Sequence, residues 1–367
     1  MNKRVVYKAA RIFIRHSMLS SHAIIVNDGL IEDIVPAASL GSDVNVVDEG
    51  DVILAPAFID LQLYGAYQRL LAVYPDAETV AAIYDYSVKG GAAFCMPTVA
   101  TNTYEVIFNC IDAVKDYWKR RGRGVLGLHV EGPWISKAKR GAHVDEFIFS
   151  PTVLQVKELL NYGKDVIKMI TLAPEECSDE IIDLIQSYGI IVSAGHSNAS
   201  YEQAIHAFDK IGLATHIYNA MSALQHREPG MVGALFNHLS VRSSLVPDGY
   251  HVDFAAIKIA KKMMGNRLFA ITDAVTETTK GYYKHYREGD KYTAGGILSG
   301  SALTMHKAFT NLVFKCDIPV EEALRMCSLY PAQAAKIEGS AGILQKGYKA
   351  NIVVLDKELQ LVKTIIH

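Results

Sequence analysis

Residues 125–133 read Val-Leu-Gly-Leu-His-Val-Glu-Gly-Pro. A run of strand-forming apolar residues ends in a carboxylate, and Gly132-Pro133 stops it at once. His129 and Glu131 are two apart, so on a strand they face the same side. A short apolar run without alternation suits a strand buried on both faces, as in a parallel sheet. The pattern recurs: Ala55–Leu61, Ala92–Val99, Val125–Glu131, Ile167–Ala173, Ile190–His196, Leu213–His216, Val241–Val246 and Leu268–Asp273 make eight such runs. Stretches of helical character lie between most of them, at Asp76–Lys89, Tyr104–Arg121, Ser178–Tyr188, Tyr201–Lys210 and Asp253–Met264. Eightfold strand–helix alternation predicts an α/β fold, a parallel sheet closed into a (β/α)8 barrel of the TIM type. An open doubly wound sheet is the alternative. Gln62, Glu131, His196, His216 and Asp273 each fall at or just after a strand's C-terminal end. A barrel gathers those ends on one mouth, whereas an open sheet does not.

The two ends of the chain have another rhythm. Val5–Tyr7, Arg11–Ile14, His22–Asn27 and Ile31–Pro36 are β-rich pieces separated by turn residues such as Asn27-Asp28-Gly29. The pattern returns in Asn351–Leu355 and Leu361–Ile366. Both termini are therefore expected to build one small β-sandwich domain, residues 1–53 and 341–367, around a barrel at 54–340.

Composition narrows the function classes. Of 367 residues, 50% are hydrophobic and 21% charged, with a formal net charge of −2, so no general basic field is available for a nucleic acid or a membrane. An anionic ligand must be met by a few local cations. Five widely spaced Cys without a CxxC pair argue against a disulfide framework and for a reducing compartment. The N-terminal Met-Asn-Lys-Arg-Val-Val alternates charged and apolar residues and lacks a signal peptide's apolar core. No stretch approaches the ~20 apolar residues of a membrane span. A cytoplasmic location is the expectation.

The strand ends carry the chemistry. A carboxylate such as Glu131 inside a barrel mouth is costly unless paired or metal-bound; alone, it reads equally well as a buried salt bridge. His129 lies deeper and suits a supporting role. Ile191-Val-Ser-Ala-Gly-His196 places an imidazole just past a strand, and Ala214-Thr-His216 repeats the arrangement one strand later. Either His alone reads as a satisfied core group. Together with Glu131 they form an N,N,O set for Zn²⁺ or a similar ion, with a position left for water. Such an ion lowers the pKa of water, and Asp273 on the eighth strand can accept the proton and return it to a leaving group. Asp273 also reads as a helix N-cap.

These residues resemble a known family, the N-acetylglucosamine-6-phosphate deacetylases of the amidohydrolase superfamily. The signposts run from about Asp51 to Asp356: Pro56-Ala-Phe-Ile-Asp60, His129-Val-Glu-Gly-Pro133, Lys139-Arg-Gly-Ala-His143, Gly195-His-Ser197 and Thr215-His-Ile-Tyr-Asn-Ala-Met221. They continue with His226-Arg-Glu-Pro-Gly230, Asp248-Gly-Tyr-His251, Thr272-Asp-Ala274 and Leu298-Ser-Gly-Ser301. The resemblance implies removal of acetyl from N-acetylglucosamine 6-phosphate in amino-sugar catabolism. It implies one divalent ion on Glu131, His196 and His216: zinc, with Fe²⁺, Co²⁺ or Mn²⁺ as alternatives. Asp273 becomes the general base and then acid, and His143 polarises the acetyl carbonyl. Ala142, His143, Asn219, Ala220, Arg227, His251, Leu298 and Ser299 become substrate contacts, with Arg227 serving the neighbouring subunit of a homodimer. Read without the resemblance, Arg227 pairs with Glu228 and His251 is a loop histidine.

Two departures stand out. Many amidohydrolases have His-x-His after the first strand for a second metal; here the segment is Asp60-Leu-Gln62-Leu-Tyr64-Gly65, and neither Gln62 nor Tyr64 is a good transition-metal ligand. The single-metal subset with Gln carries Asn where this chain has Tyr64. Competing readings are an N-acetylgalactosamine-6-phosphate deacetylase, an amidohydrolase for another amide or cyclic amide, and an inert sugar-phosphate-binding barrel. The complete set Glu131, His196, His216 and Asp273 argues against the last.

Overall fold

In the computed structural model, which describes residues 4–41 and 45–367, eight parallel strands form one sheet in chain order. They are β1 (Phe58–Leu63), β2 (Ala92–Ala100), β3 (Leu128–Glu131), β4 (Ile167–Leu172), β5 (Ile191–Ala194), β6 (Leu213–Ala214), β7 (Arg242–Leu245) and β8 (Leu268–Ala270). The start of the N-terminal segment, Met1–Lys3, lies outside the described residues. Backbone bonds from Asp273 N to Gln62 O (2.9 Å) and from Tyr64 N to Ala274 O (2.8 Å) join the segment after β8 to β1. The sheet thus closes as the expected barrel, not an open sheet.

Helices follow the strands: α1 (Ala77–Lys89), α2 (Tyr104–Lys119), α3 (Val153–Tyr162), α4 (Asp179–Ser187), α5 (Tyr201–Phe208), α6 (Gly230–Asn237), α7 (Phe254–Met264) and α8 (Met305–Phe314). Their starts are written in the sequence. Thr103, Ser178 and Ser200 each accept a backbone N–H of the helix they open, and Gln203 completes a capping box with Ser200. Asp253 caps α7 by accepting from Ala255 N at 2.7 Å.

The terminal strands form a second sheet, in the order Leu361–Ile365, Ile352–Leu355, Ile53–Pro56, Val5–Phe13, Met18–Asn27 and Leu30–Pro36, with Val46–Asp48 also pairing to Val5–Phe13. Alternate residues such as Ile24 and Val26, or Ile352 and Val354, fill its core. The apolar run expected to begin β1 at Ala55 is divided. Ile53–Pro56 belongs to the terminal sheet and Phe58–Leu63 to the barrel. By internal contacts one compact unit comprises the chain up to Asp60 with Ser87–Phe94 and Thr304–His367, and the other Leu61–Tyr86 with Cys95–Leu303. Between β8 and α8 the chain adds a three-stranded antiparallel sheet, Tyr286–Glu288, Lys291–Ala294 and Ile297–Ser301. Among the described residues no helix is long and apolar enough to cross a membrane.

Candidate metal centre and active site

Glu131 ends β3 almost fully buried, and three imidazoles converge on it. Its Oε1 lies 3.1 Å from His216 Nε2 and 3.3 Å from His196 Nε2, and the two Nε2 atoms are 3.1 Å apart. Ligand bonds of 2.0–2.1 Å at tetrahedral angles set ligand atoms roughly 3.4 Å apart. The triangle therefore has the size a bound cation imposes. His196 donates from Nδ1 to Lys139 O at 3.0 Å, which leaves its Nε2 lone pair facing the triangle. His143 borders the same position, since Glu131, His143 and His196 also bring ligating atoms within 4.8 Å of one another. Its Nε2, however, faces the other carboxylate oxygen, 3.3 Å from Oε2. The Oε1 set is the tighter one and fits a cation best.

Gln62 and Tyr64 occupy the opposite side. Gln62 Nε2 sits 2.9 Å from Glu131 Oε1, 2.8 Å from Asp273 Oδ1 and 2.8 Å from the Tyr64 hydroxyl. An amide nitrogen has two protons for these three acceptors. The Tyr64 hydroxyl donates to Glu131 Oε2 and lies 3.3 Å from Asp273 Oδ1. A phenol and an amide thus tie the two carboxylates together.

The electrostatics follow from this packing. Burial alone would raise the Glu131 carboxyl, but the surrounding rings in their protonated forms, His196 first and then His143 and His216, attract and hydrogen-bond the carboxylate and hold it well below the ordinary range. At Asp273 burial and then the Glu131 charge push the carboxyl up, by more than His216, His251 and His196 pull it down. Burial, reinforced by His143, lowers His196 to about 4, a neutral ring suited to ligation. At His216 burial is outweighed by the Glu131 hydrogen bond and charge, and the pKa rises. A bound cation would replace the proton stabilised there. Burial, with Asp273 and Glu131, raises Tyr64 well above 10, so it stays a neutral phenol.

Beneath the site lies a polar floor. His129 bonds Leu61 O (3.2 Å) through Nδ1 and Thr171 Oγ1 (2.8 Å) through Nε2, and Thr215 links Thr171 to Ser193. Both ring nitrogens are spent, so His129 supports the site from below. His143 Nδ1 bonds Thr101 Oγ1 at 2.7 Å. Gly132, at φ +82°, permits this: a Cβ there would lie 2.1 Å from that same Thr101 oxygen.

One cavity is lined by Glu131, His143, His196, His216 and Asp273 together with Ala142, Asn219, Ala220, His251, Leu298 and Ser299. His251 is anchored through Nδ1 to Asp248 Oδ2 at 2.6 Å, which leaves Nε2 available to a ligand. Arg227 is apart from them on the exposed surface. Glu228, the partner suggested for it, instead accepts from Tyr201 N and Gly230 N. Sequence reasoning passed over Thr101, Tyr283, His285, Leu70 and Val275. Tyr283 donates to Thr101 O at 2.6 Å and sets its ring edge against His143. The available signal was the dense aromatic and histidine stretch Gly281-Tyr-Tyr-Lys-His-Tyr286.

Comparison with known proteins matches this architecture. Residues 53–366 match the Amidohydrolase family and residues 8–52 the NagA composite domain. The chain is 33% identical to the N-acetylglucosamine-6-phosphate deacetylase of Haemophilus influenzae, covering 97% of this chain and 96% of the relative. It is 30% identical to the N-acetylgalactosamine-6-phosphate deacetylase of Escherichia coli O157:H7, covering 97% and 96%. The crystal structure of N-acetylglucosamine-6-phosphate deacetylase from Pasteurella multocida superposes with a TM-score of 0.94 at 30% identity, over 99% of this chain and 98% of that one. The chain belongs to the amidohydrolase family and groups within it with the N-acetylglucosamine-6-phosphate deacetylases.

Proposed function

We propose that this protein hydrolyses the N-acetyl group of N-acetylglucosamine 6-phosphate, giving glucosamine 6-phosphate and acetate. The observation that carries the reading is the triangle of Glu131 Oε1, His196 Nε2 and His216 Nε2 beside the raised carboxyl of Asp273. Glu131, His196 and His216 hold one divalent cation, zinc by the mixed N,O donor set, with Fe²⁺, Co²⁺ and Mn²⁺ as alternatives. When bound, that ion supplies an acidified water and a polarised carbonyl.

The chain does the rest. Asp273 takes a proton from the attacking water and returns it to the sugar nitrogen as the C–N bond breaks; its raised pKa suits both tasks. His143 faces the carbonyl oxygen from the side opposite Thr101 and stabilises the charge that develops there. Gln62 holds the two carboxylates apart from any second cation, which supports a single-metal site. Ala142, Asn219, Ala220, His251, Leu298 and Ser299 receive the sugar and its 6-phosphate. The exposed position of Arg227 favours a phosphate contact made in a neighbouring subunit, and hence a homodimer. Five free, buried cysteines fit a cytoplasmic enzyme.

The test is acetate release from N-acetylglucosamine, N-acetylgalactosamine and their 6-phosphates, using protein of measured metal content. The expected result is hydrolysis of N-acetylglucosamine 6-phosphate, greatly reduced without the phosphate and in Arg227→Ala and His251→Ala. Hydrolysis indifferent to the phosphate overturns the substrate. Full activity without stoichiometric metal overturns the mechanism.

A further inference from the structure

The reaction above gives no task to Tyr64, which lines the cavity beside Glu131. Its backbone is fixed at both ends: Tyr64 N donates to Ala274 O at 2.8 Å, and Leu71 N donates to Tyr64 O at 2.9 Å. Its hydroxyl donates to Glu131 Oε2, lies 2.8 Å from Gln62 Nε2, and is farther, 3.3 Å, from Asp273 Oδ1. Two of the three atoms around that Gln62 nitrogen are carboxylate oxygens, so the amide turns its NH2 toward them. The directions then follow. Gln62 donates to the phenol oxygen, and the phenol proton goes to Glu131 Oε2.

Tyr64 and Gln62 together offer three protons, one from the phenol and two from the amide. Four acceptors face them: Glu131 Oε1 and Oε2, Asp273 Oδ1 and the phenol oxygen itself. The pair is one proton short. Donors and acceptors match once Glu131 Oε1 is given to a cation together with His196 and His216, whose Nε2 atoms already lie 3.3 and 3.1 Å from it. Oε2 is then the oxygen that needs a donor. Its other neighbour is His143 Nε2, 3.3 Å away. Without the phenol proton, Oε2 would turn to the cation or to His143.

We propose that Tyr64 is a positioning residue for the metal centre. In the metal reading proposed above, on which this rests, its hydroxyl holds Glu131 Oε2 so that Oε1 alone meets the cation. Glu131 is thereby kept a one-oxygen ligand, and a coordination position stays open for water. Gln62 completes the clamp: one N–H orients the phenol and the other holds Asp273 Oδ1. Hydrogen-bond partners of this kind fix a metal ligand's orientation, and their loss weakens metal binding by about 10- to 100-fold.

The experiment measures the zinc dissociation constant of wild-type, Tyr64→Phe and Glu131→Gln protein by competition with a chromophoric chelator. Tyr64→Phe keeps the ring and removes only the hydroxyl. Its zinc Kd should rise by about tenfold or more, whereas a packing role for the ring alone would leave the Kd of the folded protein unchanged. The crystal structure of zinc-loaded wild-type protein gives a second test that does not depend on the variant folding. It should show Oε1 as the single Glu131 oxygen on the ion and Oε2 on the Tyr64 hydroxyl. A wild-type Kd in Tyr64→Phe, or both Glu131 oxygens on the ion in the wild type, overturns the inference with the deacetylase reading intact. Wild-type protein that takes up no stoichiometric zinc, or zinc binding indifferent to Glu131→Gln, overturns the metal reading and the inference with it.

Discussion

Asp273→Asn separates stability from catalysis at this site. The Asp273 and Glu131 carboxylates share the nitrogen of Gln62, so Oδ1 and Oε1 cannot be more than 5.7 Å apart, the 2.8 and 2.9 Å bonds laid end to end. Two full negative charges at that distance repel by about 3 kcal/mol at an effective dielectric near 20. Nearby histidines offset part of this, yet the balance still raises Asp273, through burial first and Glu131 second. Removing its charge while keeping an oxygen for Gln62 should therefore stabilise the metal-free protein by about 1–3 kcal/mol, a gain of a few degrees in Tm. The same change removes the proposed proton carrier, and kcat should fall by about 10²–10⁴-fold.

The sign also depends on pH and on metal. A carboxyl raised by folding costs stability only once it ionises. The advantage of Asp273→Asn is thus absent in acid, where both states are protonated, and grows as pH rises through the raised pKa. A bound divalent cation neutralises the local negative charge, so saturating zinc should shrink or reverse the difference. Differential scanning of metal-free and zinc-loaded protein, paired with acetate release, measures all of this. A metal-free variant that melts at or below the wild type refutes the electrostatic reasoning. Retained turnover refutes the role of Asp273.

Three other outcomes are expected. Arg267, buried, donates from Nη1 to Leu235 O (3.0 Å) and Val241 O (2.8 Å) and from Nη2 to Met263 O (3.3 Å). Arg267→Ala strands those carbonyls and should cost about 3–5 kcal/mol in urea unfolding; a loss below about 1 kcal/mol would contradict this. Gly132→Ala must displace Thr101, and through it His143, so kcat should drop by about tenfold or more with metal content retained. Unchanged kcat would mean that Thr101 does not hold His143. Finally, His285 takes up its proton in the unfolded chain at its ordinary 6.5 but in the folded protein only near 4. Its contribution to stability is complete above 6.5 and is lost as pH falls toward 4, by about 3 kcal/mol in all. His285→Leu should flatten that part of the urea-stability profile, and an identical profile would count against a buried neutral ring.

The barrel was legible because each strand is an apolar run buried on both faces, and the metal-site candidates were legible because they interrupt that apolarity at the strand ends. What was lost had no such contrast. Ile53–Pro56 and Phe58–Leu63 are buried throughout, so no change of polarity at Ala57 marks the passage from one sheet to the other. Thr101, Tyr283 and His143 meet only in three dimensions, because 42 residues separate Thr101 from His143 and 182 separate it from Tyr283. Tyr64 could be flagged as a departure from pattern. That its hydroxyl closes onto Glu131, 67 residues away, could not.

The backbone after three of the strands explains where their extended pairing stops. His196, His216 and Asp273 adopt φ of 49°, 39° and 55°, a left-handed region that costs a non-glycine residue on the order of 1–3 kcal/mol. Glycine would relieve the strain and delete the proposed ligand or proton carrier. The fold instead pins each residue. Ser244 Oγ accepts from His216 N at 2.7 Å, Ser136 N donates to His196 O at 2.9 Å, and Asp273 both donates to Gln62 O at 2.9 Å and accepts from Ser301 N at 2.8 Å. Extended pairing stops where this turn begins, which leaves β6 with two residues and β8 with three. The left-handed turn after each of these strands thus ends its pairing and turns His196, His216 and Asp273 toward the cavity they share.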